Sequence, residues 1–235
     1  AEALQRGHMD RSRYMGHPKF YDVPIKKIIS KKRASSLARN INPQEVTPPE
    51  ALNPDSILNE GENTTHYSII DKYGNVVSNT YTLGYSFGSG VTIPGTGILL
   101  DNQMNNFAYQ HGNPEVIDRS ASIGNRFEPG KRPMSTMTPI IIFDENNELK
   151  LITGSPGGAL IPAAVLRVVT GVIDFNLNLG EATMLPRLHK DWPYKSLSLE
   201  KGFSKDTLTI LESYGHELEQ SKTMGSTQSI LISTK

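Results

Sequence analysis

Hydrophobic and polar positions alternate along residues 66–71 (HYSIID) and again along 76–83 (VVSNTYTL), a two-residue period that predicts a pair of β-strands. Between them Lys72-Tyr73-Gly74-Asn75 reads as a hairpin turn, with Gly74 supplying positive φ. Residues 97–101 (GILLD) and 140–143 (IIIF) are short apolar runs of the kind expected of buried strands. Residues 145–148 turn the chain into another strand at 149–153 (LKLIT), followed by Gly154-Ser155-Pro156-Gly157-Gly158. Residues 159–175 are apolar enough for a buried helix, provided Pro162 falls in its first turn. Residues 204–214 place Leu208 and Leu211 on one face of an amphipathic helix, and 228–233 read as a last strand. Strands early, helices in the middle and strands at the end predict an α+β fold.

The first 42 residues are polar and helical in parts. Residues 26–39 hold six basic side chains and no acid, which reads as an anion patch or as a solvated helix face; the neutrality of the whole chain favours the face. Residues 43–56 contain four prolines and no hydrophobic period, the pattern of a linker or surface loop. Residues 1–6 read as the middle of a helix, without initiator Met, cap or signal peptide, and 230–235 as a strand with nothing after it. The chain is therefore expected to be a piece of a longer polypeptide.

Composition narrows the function classes. A length of 235 residues predicts one domain or at most two. Lys+Arg and Asp+Glu both number 24, which argues against a dedicated nucleic-acid binder. No apolar run approaches the ~18 residues of a membrane-spanning helix. The absence of cysteine excludes a disulfide framework, a thiolate zinc site, an iron–sulfur cluster and a Cys nucleophile. The histidines, at positions 8, 17, 66, 111, 189 and 216, show no metal-ligand spacing, so no metal is expected.

Four segments can carry chemistry. The Pro-rich stretch runs into Asn63-Thr64-Thr65-His66, so a flexible segment ends at a Thr that opens a strand. Cleavage before Thr64 would create an α-amino group held beside its own hydroxyl, a built-in general base; the same pattern also describes an ordinary strand-opening Thr. Gly154–Gly158 lies between strand and helix, where backbone N–H groups can cradle an oxyanion or a phosphate, or simply make a tight turn. It lacks the Lys-Ser/Thr of a Walker loop. In 130–139 (GKRPMSTMTP) Ser135 and Thr136 are adjacent hydroxyls that can hold a carboxylate. In 101–107 (DNQMNNF) side-chain amides can bind carboxylate or ammonium groups, or favour turns.

Together these segments resemble the γ-glutamyltransferase (γ-glutamyltranspeptidase) family of N-terminal-nucleophile hydrolases. Asp10-Arg11-Ser12-Arg13-Tyr14-Met15-Gly16 is similar to the end of the family's large subunit, and Thr64-Thr65-His66-Tyr67-Ser68 to the start of its small subunit. Residues 97–104, 131–137, 154–158, 186–189 and 225–229 follow in family order. The resemblance implies an αββα sandwich, incomplete in this chain, with 1–63 as the C-terminal part of the large subunit and 64–235 as the small catalytic subunit. It implies autocatalytic cleavage between Asn63 and Thr64, with Thr64 as nucleophile, Thr82 supporting it, and Gly157 and Gly158 as oxyanion donors. It assigns Gln103 and the position of Asn106 to the substrate's α-amino group, and Ser135 and Thr136 to its α-carboxylate. No cofactor is implied. The partners would be a γ-glutamyl small molecule or peptide, water or an amino-acid or peptide acceptor, and the remainder of the large subunit, with no nucleic acid. The compartment would be periplasmic, secreted or cell-surface.

Two positions depart from the family pattern. Asn106 stands where the family commonly has an Asp that pairs with the α-ammonium, and Gly84 where many members have a polar residue. These departures predict weaker selection for a free α-amino group, opening glutaryl or polyglutamate amides as donors, or a non-catalytic binding relative. A phosphate-binding protein would want basic residues beside the glycines, and none occurs until Arg167.

Overall fold

The computed structural model describes residues 1–52, 63–107 and 123–233. The chain forms two compact units. The first gathers Ala1–Asn59, Gln103–Ser135 and Leu188–Gln220; the second gathers Glu60–Asn102, Thr136–Arg187 and Ser221–Lys235. Among the described residues, the first unit joins a segment before residue 63 to segments after it. The last four residues of the Pro-rich stretch, 53–56, lie outside the described residues.

The second unit is built on two antiparallel sheets. Strands β1 (Asn63–Ile70) and β2 (Val76–Gly84) form the predicted hairpin. Its turn is closed by Asp71, whose Oδ1 accepts from the N–H groups of Tyr73 and Asn75 at 2.8 and 2.9 Å, and Gly74 takes φ +83°. Strands β3 (Ile140–Phe143), β4 (Leu149–Thr153) and β8 (Ile230–Leu231) form the other sheet, with β4 in the centre. Helix α4 (Ile161–Ile173) carries Pro162 in its first turn, where the missing N–H has no helical partner to lose. Leu151 of β4, Val168 and Val172 of α4, and Ala182 of α5 (Leu179–Met184) form the buried core. Burying a side chain such as Leu151 or Val168 contributes about 1.5–3 kcal/mol. Gly171 lets α4 and α5 approach: a Cβ there would sit 2.9 Å from that of Ala182. Helix α5 begins with a capping box in which Asn178 Oδ1 accepts from Glu181 N–H, and Glu181 Oε2 accepts from Asn178 N–H.

The first unit holds helices α1 (Glu2–Tyr14), α2 (Ile25–Ile28) and α3 (Lys31–Arg39). Its sheet pairs β5 (Leu188–His189) antiparallel to β6 (Ser196–Leu199), which runs parallel to β7 (Glu217–Gln220). Helix α6 (Lys205–Ser213), capped by Ser204 Oγ, makes the crossover that a parallel pair requires. The basic helix α3 buries none of its residues, as a solvated face should, although Arg33 reaches Asp10 in an ion pair.

Two expectations are corrected. Residues 97–101 form no buried strand: their only ladder contact is an isolated bridge from Leu99 to Thr92, and Ile98 and Leu100 are exposed. The strand at 140–143 is only half-buried, on the side of Ile140 and Ile142, with Ile141 and Phe143 exposed. The described part of the Pro-rich stretch runs at the surface and is tied down by hydrogen bonds. Val46 N–H donates to Tyr214 O, Thr47 N–H to Glu2 Oε1, and Pro49 O accepts from Trp192 Nε1 at 3.2 Å.

Candidate functional site

Thr64 lies in a break of register. Asn63 pairs with Gly84 and Thr65 with Tyr81, so the ladder slips between them and Thr64 stands opposite two residues, Thr82 and Leu83. The extra residue is on β2, and such an irregularity bends the strand that carries it. The hydroxyl of Thr82, across the hairpin, donates to the carbonyl oxygen of Asn63 and accepts from Gly84 N–H at 2.8 Å. Gly84 has φ +90°, a backbone conformation that glycine favours. Thr64, Thr65, Tyr81, Thr82, Tyr85 and Ser86 line an open cavity of about 390 Å³.

The glycine loop follows β4 in the same unit. Gly157 has φ +129° and Gly158 φ +55°, both conformations that side chains resist. Among the described residues, neither N–H finds an acceptor. The carbonyl of Gly158 accepts from Thr136 Oγ1 at 2.8 Å, and Gly225 packs 3.3 Å from where a Cβ on Gly157 would stand. The loop therefore has its carbonyl side fastened and its amides presented, the arrangement an oxyanion hole needs.

His66 joins the two features, and no pattern in the sequence singled it out for this. Buried two residues beyond Thr64, its ring bonds Thr80 Oγ1 at 2.7 Å through Nδ1 and Ser68 Oγ at 3.2 Å through Nε2. A Cβ on Gly154 would fall 2.1 Å from His66 Cε1. Ser78 Oγ adds a bond to Thr153 O at 3.1 Å. The strand carrying Thr64 is thus stitched to the start of the glycine loop. Burial lowers the His66 pKa below the ordinary histidine value.

Of the remaining candidates, Gln103, Asn106 and Ser135 belong to the first unit, and Thr136, Thr64, Thr82, Gly157 and Gly158 to the second. Asn106 Nδ2 donates to Gln103 Oε1 at 2.7 Å, so the amide turn is neutral and internally bonded. Asn125, fully buried and missed by sequence reasoning, clamps it: Nδ2 donates to Asn106 O at 2.7 Å and Oδ1 accepts from Met134 N–H at 2.9 Å. Ser135 is exposed, whereas Thr136 is buried.

The first unit also brings together groups that lie far apart in the chain. His8 Nδ1 lies 3.2 Å from Asp191 Oδ1, and His189 Nε2 lies 3.9 Å from Asp191 Oδ2. Burial, opposed by the Asp191 charge, pushes His8 down to about 4. Burial raises Asp191, but the His189 hydrogen bond, the neighbouring imidazoles and the Trp192 N–H outweigh it and leave the carboxyl below its usual range. Sequence spacing gave no hint of this grouping.

Among the described residues, a Thr that opens a β-hairpin and a glycine loop with two unbonded amides thus share one unit, on a mixed α/β frame. Comparison with known proteins supplies the class. The family model for gamma-glutamyltranspeptidase matches residues 1–235. The glutathione hydrolase proenzyme of Escherichia coli (strain K12) is 42% identical over 233 residues, covering 99% of this chain and 40% of the relative. The crystal structure of an acivicin-inhibited gamma-glutamyltranspeptidase superimposes with TM-score 0.67 at 40% identity, covering 73% of this chain and 91% of that one. A cephalosporin acylase from Bacillus halodurans superimposes with TM-score 0.76 at 28% identity, covering 95% of this chain and 38% of that one. The chain belongs to the γ-glutamyltranspeptidase family, and its mixed α/β fold is that of the N-terminal-nucleophile hydrolases. It spans 40% of the length of the Escherichia coli relative.

Proposed function

We propose that this chain carries the catalytic end of a γ-glutamyl transferase and hydrolase whose nucleophile, Thr64, is released by self-cleavage of the Asn63–Thr64 bond. The observation that carries the reading is the Thr82 hydroxyl donating to the Asn63 carbonyl, the carbonyl that cleavage must attack. In the first step Thr64 Oγ adds to the Asn63 carbonyl carbon, and Thr82 stabilises the developing oxyanion. The C–N bond breaks as the Thr64 nitrogen takes the hydroxyl proton and leaves as an amine, and Asn63 is held as an ester on Thr64 Oγ. Water hydrolyses the ester, leaving the Asn63 carboxylate, a free hydroxyl and a free α-amine. The two chains would be 1–63 and 64–235, continued by the remainder of the large subunit.

In turnover the α-amine takes the Thr64 hydroxyl proton as Oγ attacks the γ-glutamyl carbonyl. The Gly157 and Gly158 N–H groups receive the oxyanion, the leaving amine takes the proton, and a γ-glutamyl ester remains on Thr64. Water, or the amine of an amino acid or peptide, then releases it. Gln103 and Asn106 would face the donor's α-amino group, and Ser135 and Thr136 its α-carboxylate. The relatives' name, glutathione hydrolase proenzyme, supports glutathione-like donors and a cleaved precursor. Family membership supports a periplasmic, secreted or cell-surface location. Among the described residues, no helix is long and apolar enough to cross a membrane.

A second reading rests on Asn106. A neutral amide bonded to Gln103 offers a donor's ammonium no ion pair, so donors without a free α-amino group, such as glutaryl or polyglutamate amides, are disfavoured less. Likeness to a cephalosporin acylase supports it. The test is turnover of γ-glutamyl and glutaryl anilides by the full-length product, with and without a dipeptide acceptor, plus peptide mapping after acivicin treatment. Anilide release and a covalent adduct on Thr64 are expected. An uncleaved chain with no turnover and no adduct would make it a non-catalytic binding relative.

A further inference from the structure

We infer that His8, His189 and Asp191 form a binding site for a zinc-type divalent cation, built from both sides of the Thr64 junction. Each residue offers one ligand atom, and the three atoms lie within 4.8 Å of one another. The two imidazole rings stand 5.3 Å apart, centroid to centroid, at 89°, with the carboxylate between them. Tetrahedral zinc, with bonds of about 2.0–2.1 Å, needs edges of roughly 3.4 Å, which small side-chain rotations reach from here. His8 and His189 are each more than nine-tenths buried, at 6% exposure. Asp191 is partly open, leaving solvent a route to a fourth coordination position.

Charge points the same way. Among the described residues, neither Lys nor Arg pairs with Asp191. The intervening Lys190 turns its ammonium to the carbonyl of Lys195 instead. The cluster therefore offers a half-buried carboxylate facing two buried imidazoles, a nitrogen-rich set suited to zinc, cobalt or nickel rather than to calcium or magnesium. A second, independent observation is that His8 Nε2 and His189 Nδ1 are buried without hydrogen-bond partners among the described residues. Neither ring is locked by an outer hydrogen bond, so each can take the tautomer that directs a lone pair to the ion. The same absence lowers affinity by about 10–100-fold relative to a site with a complete outer shell.

His8 lies on α1, before residue 63, while His189 and Asp191 lie after it. A bound ion would cross-link segments already packed in one unit, and after cleavage it would staple the two product chains. The staple rests on the cleavage reading; the ion site does not.

The experiment is a Co²⁺ titration, followed by Zn²⁺ displacement, of the chelator-treated full-length protein, its cleavage state set by gel. It is run for wild type, His8→Gln and Asp191→Asn, with circular dichroism of each. Expected are ligand-field bands saturating at one ion per chain, displaced by Zn²⁺, and a Zn²⁺-dependent rise in Tm. Both variants should lose at least ~10-fold in affinity. Wild-type protein without Zn²⁺-displaceable bands, or equal affinity in any correctly folded variant, would overturn the site. If His8→Gln fails to fold, Asp191→Asn decides, because that change keeps the volume of the side chain. Bands without self-cleavage would sink the staple and leave the ion site standing.

Discussion

The two units put their chemistry in different kinds of group. In the second unit the candidate machinery is uncharged: the hydroxyls of Thr64 and Thr82, the amides of Gly157 and Gly158, and His66, whose pKa is lowered by burial. In the first unit the conspicuous groups are ionisable or amide: the His8–Asp191–His189 cluster, and Gln103 with Asn106 beneath Asn125. A hydroxyl nucleophile depends on backbone placement, because its base arrives by covalent geometry once the chain is cut. A cluster of imidazoles and carboxylate depends on tertiary proximity. Mutations in the second unit should therefore change rates, and those in the first should change recognition and ion binding.

The largest effect should come from Thr64→Ala, which removes the proposed attacking atom. Self-cleavage should vanish from intact-mass spectra, and γ-glutamyl anilide turnover should fall by ~10³–10⁶-fold. Thr82→Val keeps the shape and deletes the donor to the Asn63 carbonyl. It should slow self-cleavage by ~10²–10³-fold, measured as the rate of appearance of the 64-onward chain. A smaller rate effect in Thr82→Val than in Asn106→Asp would collapse the contrast between the units.

Gly154→Ala drives a methyl into the His66 ring and should cost about 1–3 kcal/mol of stability by denaturant melting. The double variant with His66→Ala should recover part of that loss, since contacting residues couple. Additive losses would show that the stitch between strand and loop does not matter. Asn106→Asp should raise kcat/KM for the γ-glutamyl anilide by up to ~10-fold while leaving the glutaryl anilide unchanged or poorer. No rise would remove the relaxed-donor reading.

The smallest effect is on pH dependence. His66 has a folded pKa below its unfolded value because it is buried, and no charged group contributes to the shift. Its unfolded form therefore binds protons first as pH falls below the ordinary histidine value of 6.5, and stability drops with acidification. Replacing His66 with Asn should flatten Tm between pH 7 and 5 relative to wild type; an unchanged slope would place the acid sensitivity elsewhere.

What the sequence revealed follows the same division. The hairpin at 66–83, the helix beginning near Pro162 and the glycine loop were legible because each is set by neighbours in the chain: a period of two, a Pro in the first turn, glycines at positive φ. The Asn178 capping box carries a readable N-x-x-E signal in the sequence. Residues 97–101 looked buried because they are apolar, but local composition does not say whether another layer covers them. The parallel pair β6–β7 and the buried Asn125 clamp depend on partners far along the chain. The His8 cluster spans more than 180 residues, so ligand spacing in the sequence had nothing to register.

The central claim is that the Asn63–Thr64 bond cuts itself. Intact mass and N-terminal sequencing of the purified full-length product test it directly. The account predicts a second chain beginning Thr64-Thr65-His66, absent in Thr64→Ala. A single chain, uncut after prolonged incubation, would contradict it.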